Sequence, residues 1–124
     1  MREAGVVLGE SGEAIYWHLP DDRSAGAIPD SRTLWEVLWE NRKVVSGFAH
    51  SHPGSGVPLP SPTDITTFEA IEKGLGRRLK WWITSQDQLS YTHHEGGGPT
   101  DYVTFRITSE HPAWLDELRR QSYT

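Results

Sequence analysis

Between two segments that read as helices lies Val44–Ala49, a run without a single charge that leads into His50-Ser51-His52-Pro53. Short apolar runs with β-branched residues, bounded by turn signals, form buried strands. A buried strand needs hydrogen-bonding neighbours at its edges and cover on its faces, so this run commits the chain to a layered structure with a sheet at its centre.

The remaining segments supply those neighbours. Gly5–Leu8 and Glu13–Leu19 read as strands around the turn Gly9-Glu10-Ser11-Gly12. Residues 20–29 mix Pro, Asp, Gly and Ser and predict an exposed loop. Asp30 or Ser31 then caps a helix to about Arg42, with Leu34, Val37 and Leu38 facing inward and Trp35 at the margin. Ser61-Pro62-Thr63-Asp64 opens a second helix, with Ser at the cap, Pro at the first helical position and an acid three residues after the cap. Ile65, Phe68, Ile71 and Leu75 give its apolar face, and Gly74 or Gly76 ends it. Leu79–Thr84 and Gln88–Thr92 predict a hairpin, Tyr102–Thr108 a last strand and Pro112–Gln121 a closing helix. The order β-β-α-β-α-β-β-β-α predicts an α/β (α+β) fold, a single mixed sheet flanked by helices. Trp81 and Trp82 are neighbours on one strand and must face opposite ways, so covering both needs a layer on each side.

At 124 residues there is room for one domain, 1–124, and no second core. The absence of cysteine excludes disulfides, thiolate metal sites and cysteine nucleophiles, and fits a reducing, cytoplasmic setting. A net charge of -5 with scattered basic residues argues against nucleic-acid binding. No apolar run is long enough to span a bilayer, and the charged start Met1-Arg2-Glu3 is unlike a signal peptide. The six tryptophans are expected in the core, with a partner surface as the alternative. Nothing in the sequence sets the oligomeric state.

The chemistry concentrates in His50-Ser51-His52-Pro53 and Ser61-Pro62-Thr63-Asp64. Two histidines at spacing two project to one side of a strand. Neutral imidazoles suit zinc, a carboxylate supplies a third ligand, and the fourth position stays open to water. Alone, a His-x-His pair is weak, and Asp64 is explained as the acid of a capping box. Their combination across a Pro/Gly-rich loop is what carries weight. His93-His94 face opposite ways on a strand and do not share a metal, while His18 and His111 read as ordinary polar positions.

These two motifs resemble the JAMM signature, H-[ST]-H-P followed by S-x-x-D, of the JAB/MPN metalloproteases. The intervening stretch Pro53–Pro60 is one residue longer than usual, in a loop where insertions are tolerated. The resemblance implies an MPN, cytidine-deaminase-like layered fold and a Zn2+ ion held by His50, His52 and Asp64. It also implies that Ser61 stabilises the oxyanion of an attacked carbonyl. The family's catalytic glutamate precedes its first strand in an E-x-x-G pattern. The match here is Glu3-Ala4-Gly5-Val6-Val7-Leu8-Gly9, one residue short, which makes Glu3 the general acid/base. The helix that precedes this glutamate in the family has no counterpart in the sequence, and Glu10 and Glu13 read as turn residues. Loops 20–29 and 54–60 are expected to border the cleft. Implied substrates are proteins or peptides, foremost the C-terminal tail of a ubiquitin-like or sulfur-carrier protein. The alternatives are a phage-tail-type peptidase and an inactive MPN scaffold. Cupins, amidohydrolase barrels and nucleobase deaminases also use histidine sites. They are excluded in turn by the missing glutamate after the pair, by length and by the absence of cysteine.

Overall fold

A six-stranded mixed sheet in the order β2-β1-β3-β4-β5-β6 organises the chain. The computed structural model describes residues 1–26 and 31–123. The elements are β1 (Gly5–Gly9), β2 (Ala14–His18), α1 (Arg32–Glu40), β3 (Val45–Ser51), α2 (Pro62–Leu75), β4 (Lys80–Thr84), β5 (Leu89–His94), β6 (Tyr102–Ile107) and α3 (Leu115–Tyr123). Their order is the one expected. β3 pairs antiparallel with β1 and parallel with β4, and every other pairing is antiparallel. The single parallel pair follows from α2, which carries the chain back across the sheet between β3 and β4.

The sheet is covered on both faces, and adjacent tryptophans show how. Trp81 stacks on Phe68 of α2, with ring centroids 4.2 Å apart, inside a core that includes Leu34 and Leu38 of α1. Trp82 points the other way and meets Trp114, at 5.8 Å, in a second core built on Leu115 and Leu118 of α3. The tryptophans are thus mainly packing residues, although Trp39 is 55 % exposed and lies beneath the Arg42 guanidinium. β3 is covered as expected from Val45 onward, with Ser46 and Phe48 half-buried, but Val44 is exposed and belongs to the turn after α1.

Two caps define the helices beside β3. Ser31 caps α1 by accepting from Leu34 N at 3.1 Å; the other expected cap, Asp30, lies outside the described residues. α2 ends at Gly76, whose φ of 71° is a left-handed conformation open to glycine at little cost. In the last turn before it, buried Glu72 accepts from Leu79 N (2.9 Å), Trp81 Nε1 (2.9 Å), Arg78 Nη1 (3.0 Å) and the Tyr102 hydroxyl. This fully satisfied carboxylate fastens α2 to β4 and β6, so the opposite, N-terminal end of α2 is held at a fixed height over β3.

Candidate metal centre

The end of β3 and the start of α2 meet over the sheet. His50, in β3, and His52, one residue past it, turn to the same side, and the first turn of α2 brings Asp64 against them. His50 Nε2 and His52 Nε2 are 3.1 Å apart, His52 Nε2 and Asp64 Oδ2 are 3.1 Å apart, and His50 Nε2 and Asp64 Oδ1 are 3.4 Å apart. A tetrahedral ion with arms of 2.0–2.1 Å has ligands about 3.3 Å from one another. One ligand atom from each residue lies within 4.8 Å of the other two, and the closest pairs already stand at the separation such an ion requires. A proton can bridge two of them but cannot satisfy all three, whereas a cation can. The group can hold a metal ion.

Local sequence explains the rigidity of Asp64. Ser61 Oγ accepts from Asp64 N at 3.1 Å while Ser61 N donates to Asp64 Oδ2 at 2.9 Å, a complete capping box. Burial by itself would raise the Asp64 carboxyl. The contacts with both imidazoles, the His50 charge and the Ser61 N–H outweigh it and hold the group well below the usual carboxylate range. Asp64 thus stands ionised, ready to meet a cation.

Glu3 arrives from the other side. Gly5 pairs with His50, and beyond the strand Ser51 N donates to Ala4 O at 3.1 Å, so the same register brings Glu3 alongside His52. Gly5 is needed there, because a Cβ at this position would collide with the Phe48 ring. Glu3 is only 8 % exposed. Its carboxyl is pushed up to about 7, mainly by burial, with the His52 charge opposing and Asp64 adding to the rise. Glu10 and Glu13 are exposed at the far end of the β1–β2 hairpin, so Glu3 is the glutamate that reaches the group among the described residues.

All five expected site residues, Glu3, His50, His52, Ser61 and Asp64, line one cavity of about 650 Å3. Its inner wall is apolar, formed by Leu34, Phe48, Phe68, Ile71 and Trp81. Of the two loops expected at its rim, the first contributes Ala25 and Gly26. The second does not line it. Residues 54–58 are drawn over the β4–β5 turn instead, because Ser85 Oγ donates to Gly56 O (2.6 Å) and Ser90 Oγ to Pro58 O (2.7 Å). The hydroxyls of Ser85 and Ser90 are buried and must find acceptors, and this loop supplies them.

His18 corrects its sequence reading. It is 2 % exposed, sits opposite Gly5 on β2 and lines the same cavity. Alternation along β2 could have placed it inward, but a bulge between Val7 and Leu8 shifts the hairpin register and hides the pairing from the sequence. His93 and His94 do face opposite ways, towards Tyr91 and Phe105 and towards Tyr102 respectively. His111 is an exposed partner of Asp116.

In comparisons with known proteins, no family model and no curated protein matches this chain. Among the described residues no helix is long and apolar enough to cross a membrane.

Proposed function

We propose that this chain is a zinc-dependent amide hydrolase of the JAB/MPN type, acting on the C-terminal tail of a ubiquitin-like or sulfur-carrier protein. The observation that carries the reading is the convergence of His50, His52 and Asp64 at ligand separations, with buried Glu3 in the same cavity. Two imidazoles and one carboxylate are a donor set suited to zinc, and they leave a coordination position open. When bound, the ion supplies Lewis-acid polarisation of a carbonyl and makes water acidic enough to react near neutral pH.

The chain's own residues divide the remaining work. Glu3, with its carboxyl near neutrality, takes a proton from the attacking water and returns it to the departing amide nitrogen. The Ser61 hydroxyl accepts from Asp64 N, which leaves its own proton available to donate to the oxygen that gains charge on the attacked carbonyl. His50, His52 and Asp64 are fixed before substrate arrives, so little reorganisation accompanies the reaction. The apolar wall of Phe48, Phe68 and Trp81 excludes water and strengthens each of these interactions.

The test uses a ubiquitin-like or sulfur-carrier protein joined through Gly-Gly to a reporter, incubated with the zinc-loaded chain, with and without chelator. Cleavage that chelator abolishes and Glu3→Gln suppresses supports the assignment. Equal cleavage of an unstructured peptide points instead to a general peptidase. Stoichiometric zinc without turnover of either substrate identifies a metal-binding scaffold and ends the hydrolase reading.

A further inference from the structure

We propose that Tyr123, in the last turn of α3, is a positioning residue for the metal centre, holding His52 at ligand distance through its peptide group. The inference rests on the metal-centre reading of His50, His52 and Asp64.

His52 has a difficult place in the chain. It lies one residue beyond β3, where the ladder with β4 gives its last hydrogen bond, and Pro53 after it has no N–H to contribute. The loop that follows is drawn towards the β4–β5 turn. The N–H is held by that last ladder bond, and the carbonyl by a side chain from α3. His52 N donates to Thr84 O at 2.8 Å, and the Tyr123 hydroxyl donates to His52 O at 2.5 Å, with Thr84 O 3.1 Å away. Both polar groups of the His52 backbone are thereby clamped between the end of β4 and the end of α3.

The same helical turn reaches the segment that carries Glu3. Ser122 Oγ lies 2.7 Å from Ser51 Oγ, which accepts from Ala4 N at 2.9 Å, and Ser122 O accepts from Arg2 N at 2.9 Å. Arg23 Nη1 spans Glu3 O at 3.2 Å and Gln121 O at 3.1 Å. Ser51 and Ser122 are almost fully buried, so these links are shielded from competing water. The Tyr123 hydroxyl is pushed up to about 12, chiefly by burial, with Arg119 opposing and Glu3 adding to the rise; it keeps its proton and remains a donor. α3 thus lies behind the sheet, touches none of the reacting groups, and sets the spacing between the histidines and Glu3. Sites of this kind tolerate displacements of only about 0.5 Å, which gives a distant hydroxyl its leverage.

The decisive variant is Tyr123→Phe, which keeps every buried carbon and removes only the donor. Zinc affinity measured by chelator competition should fall about 10-fold or more, as for other residues that orient metal ligands indirectly. The visible spectrum of the cobalt-substituted protein should change with it. Leu118→Val serves as a control, since it loosens the α3 core without touching His52; its melting temperature should drop while zinc affinity holds. Unchanged zinc affinity and cobalt spectrum in Tyr123→Phe would overturn the proposal. So would collapse of its metal-free fold, which would make the hydroxyl a structural requirement only. A wild-type chain that takes up no zinc would instead overturn the metal-centre reading itself.

Discussion

Glu3→Gln should stabilise the metal-free protein at alkaline pH and leave it unchanged in mild acid. The folded carboxyl titrates near 7 against an ordinary value of 4.5, so the native state holds its proton more tightly than the unfolded chain does. Stability from this group is therefore fully present below about 4.5 and is lost as pH rises through 7. The difference is worth at most about 3 kcal/mol at 1.36 kcal/mol per pH interval of one, and solvent screening at the open side of the cavity reduces it. Glutamine has nearly the same shape and cannot ionise, so the variant escapes that loss. Urea unfolding in the presence of chelator should give superimposable curves near pH 4.5 and an advantage of about 2–3 kcal/mol for the variant at pH 8. Comparing wild type and variant at each pH removes the titration common to both and leaves the Glu3 contribution, including its coupling to His52 and Asp64. Adding zinc should shrink or reverse the advantage, since a cation beside Glu3 favours its charged form. A constant difference between the two proteins from pH 4.5 to 8 would refute the reasoning.

Elemental analysis should find about one zinc per wild-type chain and almost none after His50→Ala with His52→Ala, because no other ligand cluster of this kind exists among the described residues. On a cleavable substrate, Glu3→Gln should reduce turnover by about 10²–10⁴-fold while Glu10→Gln stays near wild type, as expected of an exposed turn residue. Ser61→Ala removes the α2 cap and should lower stability by about 1 kcal/mol in urea, with a loss of zinc affinity because Asp64 is no longer held. Glu72→Ala leaves the buried Leu79 N–H and Trp81 indole N–H without their acceptor and should cost about 3 kcal/mol or more by the same assay, while zinc still binds to the folded fraction.

What the sequence determines by itself is local. Every strand and helix was legible because each rests on short-range periodicity, caps and turn chemistry, and the Ser61–Asp64 capping box was readable residue by residue. The pairing of His50 with His52 follows equally from strand geometry, which sends alternate residues to one side. The resemblance of these motifs to a signature pointed to Glu3, and residue types alone suggested a metal.

Tertiary structure decided everything that depends on register and on which layers meet. The distances of 3.1–3.4 Å among His50, His52 and Asp64 come from the height of α2 over β3, set in part by Glu72 at the helix's other end. His18 entered the cavity opposite Gly5, in a register that the bulge between Val7 and Leu8 hides from the sequence. Residues 54–58 left it because the buried hydroxyls of Ser85 and Ser90, far along the chain, took up their carbonyls. Tyr123 lies 71 positions from the carbonyl it binds. Local preferences are written in neighbouring residues, whereas contacts across such a separation exist only once the sheet has assembled and α3 has packed behind it.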